Sequence, residues 1–297
     1  MPGLSAVTSD PVRSVRGRWG QAFTAAALAV VFCAGTMFTG LTPAHADPAV
    51  SRGVTTDRAP FAVAVSPDGS KAYVTNEGSS YVSVINVSAN TVVATIALDG
   101  VSDGVAFSPN GAKAYISEPG LNSVAIIKVS TNTMTGTIKV GSRPRQVAFS
   151  PDGAKAGVTN TGGNTVSGIN VSTDKVIATI PVGTNPMAGA FSRNGAKAYV
   201  VNTNDSTVSV INVSTRKVVS TIAVGNNPYG VAFSPDGTKA YVTSFSSGMV
   251  YVINASTDAV VGAIQVGGNP VGVAFTPNGA KAYVTRYYDA GVVVITT

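Results

Sequence analysis

A tight-turn tetrapeptide recurs six times in this chain at a constant step of 42 residues. Ser66-Pro67-Asp68-Gly69 returns as Ser108-Pro109-Asn110-Gly111, Ser150-Pro151-Asp152-Gly153, Ser192-Arg193-Asn194-Gly195, Ser234-Pro235-Asp236-Gly237 and Thr276-Pro277-Asn278-Gly279. A fixed period of this length, kept without one insertion, marks a repeat architecture. One unit reads as four short strands. Residues 229–234 are apolar and run into a Pro-Asp-Gly turn, with Gly where a positive φ is needed. Residues 239–243, 249–255 and 259–266 follow as β-branched or alternating runs, separated by a polar loop at 244–248 and a turn at 256–258.

A four-stranded meander cannot bury both of its faces alone, and radial stacking of copies solves this. The sequence therefore predicts an all-β, six-bladed β-propeller with one four-stranded antiparallel blade per repeat. The sixth repeat reaches only its third strand, at residues 292–297. Counted back in register, residues 49–57 fall where a fourth strand belongs, with Val50 and Val54 matching Val176 and Ile180. This N-terminal strand is expected to complete the last blade and close the ring, removing its free edges.

The segment Lys71-Ala-Tyr-Val-Thr-Asn76, with Ser-Pro-Asp-Gly before it and Val82-Ser-Val-Ile-Asn-Val after it, resembles the YVTN-type β-propeller repeat. The resemblance covers residues 49–297. It implies the propeller fold and an extracellular or surface-layer setting, and it implies no particular activity, because propellers carry many unrelated ones.

Arg13, Arg16 and Arg18 precede an apolar run at 22–41 that ends in Ala44-His45-Ala46. This pattern reads as a secretory signal peptide, residues 1–46, leaving a single propeller domain at 47–297. Secreted, extracellular or cell-surface location is the expectation. The chain's one Cys (Cys33), one His (His45) and one Trp (Trp19) leave with the signal, and the net charge falls from +6 to about +4. Without His or Cys, the mature chain is barred from Ser-His-Asp triads, Cys nucleophiles and zinc or haem sites built on those residues. No metal and no cofactor is expected.

Strand alternation sends the Ser-Pro-Asp-Gly turns to one face of the disc and the loops that vary between repeats to the other. On the repetitive face, the lysines at 71, 113, 155, 197, 239 and 281 read as solvated strand-start residues, and Asp68, Asp152 and Asp236 as turn residues. On the variable face, Phe61, Tyr229, Phe245, Arg286, Tyr287 and Tyr288 are expected to form an aromatic arc. Arg145 and Arg143 lie across the channel from it, with Asp103 and Glu118 as the one acid pair available for general acid–base work.

The leading reading is an extracellular binding or surface-associated module without enzymatic activity, its ligand at the variable mouth. A small molecule, a glycan or a peptide fits there, as does a cell-surface component, and the chain is expected to act as a monomer. A lactonase- or lyase-like enzyme using Asp103 and Glu118 is the alternative. A nucleic-acid or polyanion binder using Arg143, Arg145 and Arg286 with the aromatics as stacking platforms is the less favoured third.

Overall fold

The computed structural model of the chain describes residues 53–289 and 291–297. Each repeat forms one sheet. In blade 1, β1 (Pro60–Val65), β2 (Lys71–Asn76), β3 (Tyr81–Asn86) and β4 (Thr91–Ala97) pair antiparallel in chain order. Blades 2 to 5 repeat this arrangement, giving five four-stranded sheets. Among the described residues a single 3-10 turn, Pro119–Leu121, interrupts the strands. The molecule is a six-bladed β-propeller, as the period predicts, with β1 and its counterparts innermost.

The Ser-Pro-Asp-Gly turns close each first hairpin in the same way. Gly69 sits at φ +71°, where an L side chain is strained. Asp68 accepts hydrogen bonds from Ser66 Oγ (2.5 Å) and Ser70 N (3.0 Å), and Ser66 Oγ also accepts from Lys71 N (3.0 Å). These bonds, the one from Ser66 foremost, hold the Asp68 carboxyl down at about 2, and Ser234 does the same for Asp236. A depressed carboxyl contributes stability above its unfolded value near 3.8 that is lost as pH falls through about 2. Thermal unfolding at stepped pH should therefore show stability falling across that acid window. Asp68→Asn should flatten the fall, and an unchanged profile would mean the turn bonds carry no linkage.

Between blades, large side chains of one sheet press on the next. Tyr73, Val82 and Val84 of blade 1 pack with Phe107, Ile116 and Ile127 of blade 2 in one buried cluster. The tyrosine column is the anchor. Tyr73, Tyr115, Tyr199 and Tyr241 stack on Phe107, Phe149, Phe233 and Phe275 with ring centroids 4.6–4.8 Å apart. Three of these hydroxyls donate to a turn residue of the following blade: Tyr73 to Asn132 Oδ1 (2.8 Å), Tyr115 to Asp174, and Tyr199 to Asp258 (2.5 Å). Lys71, Lys113 and Lys197 donate to the same three acceptors. These lysines are thus inter-blade clamps rather than the freely solvated residues the repeat pattern suggested.

Blade 6 differs. Among the described residues its sheet has three strands, Pro270–Phe275, Lys281–Arg286 and Gly291–Thr296. Val50 of the expected closing strand lies outside the described residues. Its remainder within them, 53–57, pairs as no strand, and Val54 is half-buried where Ile96 and Ile138 are buried. On the face of blade 6 turned toward blade 1, Tyr283, Val292 and Val294 are 42%, 52% and 48% exposed, whereas their non-glycine counterparts in blades 1 to 5 are at most 8% exposed. The seam between the first and last blades is the open side of the ring among the described residues.

Candidate functional site

The variable mouth is assembled by a second inter-blade device. A hydroxyl on the second strand of one blade donates to the backbone carbonyl of the residue that opens the next. Thr75 Oγ1 reaches Asp103 O (2.5 Å), Ser117 Oγ reaches Arg145 O (2.5 Å), Thr159 Oγ1 reaches Met187 O (3.2 Å) and Thr243 Oγ1 reaches Val271 O (2.7 Å). Val201 breaks the series, and Thr203 Oγ1 holds Pro228 O instead (2.7 Å). Gly104, beside Asp103, is needed for this close approach, since a Cβ there would lie 2.3 Å from Arg145 O. Asp103 and Arg145 are therefore held at the channel mouth by the blades before them.

The two side chains meet. Arg145 Nη1 lies 3.4 Å from Asp103 Oδ2, its guanidinium sits 4.8 Å over the Phe61 ring, and it hydrogen-bonds Tyr229. The expected charged sector and aromatic arc thus touch through Arg145. Tyr229 continues the wall to Phe245 (6.1 Å between centroids), and Phe245 to Tyr287 and Tyr288 (5.9 and 6.2 Å). Tyr288 stands 70% exposed at the rim, edge-on to Tyr287.

The acid pair is a different one from that expected. Asp103 hydrogen-bonds the carboxyl of Glu77, from blade 1. Burial raises both carboxyls above their ordinary values. Arg145 and Arg143 oppose the rise at Asp103, and Arg145 opposes it at Glu77. Two neighbouring carboxyls that are both raised can share one proton, which would let the pair give and take one. Burial also raises the hydroxyl of Tyr229, which stays protonated as a donor.

Glu118 is fully buried away from this pair. Its carboxylate accepts from Gly100 N (2.9 Å) and Ser123 Oγ (3.1 Å), anchoring its own loop. It stands one repeat after Asn76, whose Nδ2 anchors its loop through Tyr81 O, and one before Asn160, which bonds Thr165 and Ser167. Arg286 falls in the same column and is tied to Asp289 at 2.9 Å. Glu77 stands in the next column, with Phe245 and Tyr287, which is the one that faces the mouth. Aligning the repeats column by column would have separated loop anchors from mouth residues. Among the described residues no cluster of His, Cys, Asp or Glu could hold a metal ion.

The fold and this mouth define the chain as a β-propeller. The model of the family described as "Lactonase, 7-bladed beta-propeller" matches residues 44–176, less than half of the chain, while six blades stand here. Among solved structures, a chain of Kuenenia stuttgartiensis hydrazine synthase is similar in fold at 19% identity, with a TM-score of 0.59 over 84% of this chain and 99% of that one. No curated protein matches the chain significantly.

Proposed function

We propose that the variable mouth binds a small oxygen-rich ring compound of the cyclic-ester or sugar-acid class and opens its ester. The observation that carries this reading is the Glu77–Asp103 carboxyl pair, flanked by Arg145 and Tyr229. The similarity to the lactonase propellers supports it, because the matched residues 44–176 contain Phe61, Glu77, Asp103, Arg143 and Arg145. In the step proposed, the ionised member of the pair takes a proton from the attacking water. Arg145 and Tyr229 donate hydrogen bonds to the carbonyl oxygen as it gains charge. The protonated member then gives its proton to the ring oxygen as the C–O bond breaks. The aromatic wall of Phe245, Tyr287 and Tyr288 receives the face of the ring. Export to the cell exterior, with the first 46 residues removed, is part of the same proposal.

Acid release from a panel of γ- and δ-lactones tests it. Asp103→Asn and Glu77→Gln should each lower kcat about 100-fold or more while the melting curve stays in place. Activity should decline as pH rises far enough to strip the shared proton, because both carboxyls are raised. A second reading, binding without turnover, draws on the exposed Tyr288 and its aromatic neighbours. Saturable lactone or sugar-acid binding with no acid released would sink the hydrolase reading and leave this one.

A further inference from the structure

The interface between blades 3 and 4 lacks the tyrosine that fills four others. Gly157 stands where Tyr73, Tyr115, Tyr199 and Tyr241 stand, and Phe191 is left without the ring that Phe107, Phe149, Phe233 and Phe275 each have. Gly168, paired directly with Gly157, replaces the valine or isoleucine of the other blades. The result is a cavity of about 60 Å³ with almost wholly apolar walls, lined by Gly157, Gly168, Ala178 and Phe191 among others. A water needs about 10–15 Å³ of such space, so the cavity is several waters large and suits one six-membered ring.

Its rim is equally specific. At the neighbouring interfaces, Asn132, Asp174 or Asp258 accepts from both the tyrosine hydroxyl and the clamp lysine. Here that position is Arg216, which lines the cavity together with Lys155. Arg216 donates to Ile177 O (3.3 Å), and Lys155 Nζ makes none of the bonds of its counterparts among the described residues. The interface has therefore lost an aromatic ring and a carboxylate at once, and has kept one cation and gained another. Lys155 starts beside the Ser150–Gly153 turn, so this cavity opens on the repetitive face, away from the mouth.

We infer that this cavity binds a small aromatic carboxylate, with its ring on Phe191 in the missing tyrosine's place and its carboxylate between Lys155 and Arg216. One molecule of this class supplies both groups that the repeat has lost. A neutral ring would leave the two cations facing each other, and an aliphatic acid would forgo the ring–ring contact with Phe191. The site is independent of the chemistry proposed at the mouth.

Benzoate is the probe, followed by calorimetry and by its effect on the melting temperature of the whole chain. Saturable binding is expected, weakened about tenfold or more by Arg216→Asp and by Gly157→Tyr. The glycine tolerates the change, since a Cβ there meets Phe191 and Val166 at 3.7 Å. The double variant Gly157→Tyr/Arg216→Asp rebuilds the Tyr199–Asp258 arrangement, and its melting temperature at or above the parent's would show that the fold is intact. Three results would overturn the inference: no binding of benzoate at millimolar concentration, equal binding by the Gly157→Tyr variant, or binding of benzyl alcohol as tight as that of benzoate.

Discussion

Replacing Tyr199 by glycine is expected to destabilise the protein by about 3–5 kcal/mol and lower Tm by roughly 10 °C. Tyr199 is fully buried, its ring lies 4.7 Å from that of Phe233, and its hydroxyl donates to Asp258 at 2.5 Å. Truncation removes the largest fully buried side chain of the interface between blades 4 and 5 and deprives Asp258 of one donor, leaving Lys197 as the other. The blade 3–4 interface already tolerates such a hole, so the variant should fold and melt at lower temperature. Unfolding followed by circular dichroism measures the effect. A loss below about 1 kcal/mol would mean that the blades slide together over the gap, contrary to the close packing assumed here.

Deleting residues 47–55 should have an effect at least as large. In blades 1 to 4 the outer strand buries a large aliphatic residue against the sheet, as Ile96, Ile138, Ile180 and Ile222, and in blade 5 Ile264 is half-buried. The matching residue for blade 6 is Val54, preceded in the expected strand by Val50. The connector that follows is already seated as the one between blades 2 and 3 is, since Asp57 N donates to Ser83 Oγ (3.4 Å) just as Gly141 N does to Ser167 Oγ (3.2 Å). A strand leading into it would lie along Gly291–Thr296 and draw blade 1 onto Tyr283, Val292 and Val294. Its loss should lower Tm by roughly 10–20 °C and leave the sheet edge free to pair with other chains. An unchanged Tm and a monomeric deletion variant would refute closure by this segment.

The architecture was legible because each strand boundary is written six times. The expected strand at 229–234 is Pro228–Phe233 in the structure, and 249–255 is Met249–Asn254, shifts of a residue at the ends. The mouth was legible in its aromatics: Tyr229, Phe245, Tyr287 and Tyr288 do meet, and Arg145 does reach them. What escaped was the partner of Asp103. Proximity along one repeat suggested Glu118, yet Glu118 occupies a column of buried loop anchors, and the carboxyl that arrives comes from the preceding blade. Inter-blade contacts are set by how one sheet's loops overhang the next, which no single repeat contains. The clamp lysines were misread for the same reason. Their partners lie 61 residues along the chain, beyond the turn each lysine begins. The blade 3–4 cavity was hidden differently, because it is marked by side chains that are missing rather than by unusual ones.

The inter-blade bonds share constant offsets: 28 residues for the hydroxyl bridges and 58–61 for the lysine and tyrosine clamps. Gain or loss of a whole 42-residue unit leaves all such offsets unchanged, so the scaffold is indifferent to how many units it counts. The mouth is not. Arg145 of blade 3 touches Phe61 of blade 1 and Tyr229 of blade 5, bridging blades that are not neighbours across the ring. A duplicated unit would widen the channel and part these three residues while every blade still packed. Unit number is therefore free to drift under selection for folding alone, and it becomes fixed once a ligand has to be gripped across the axis.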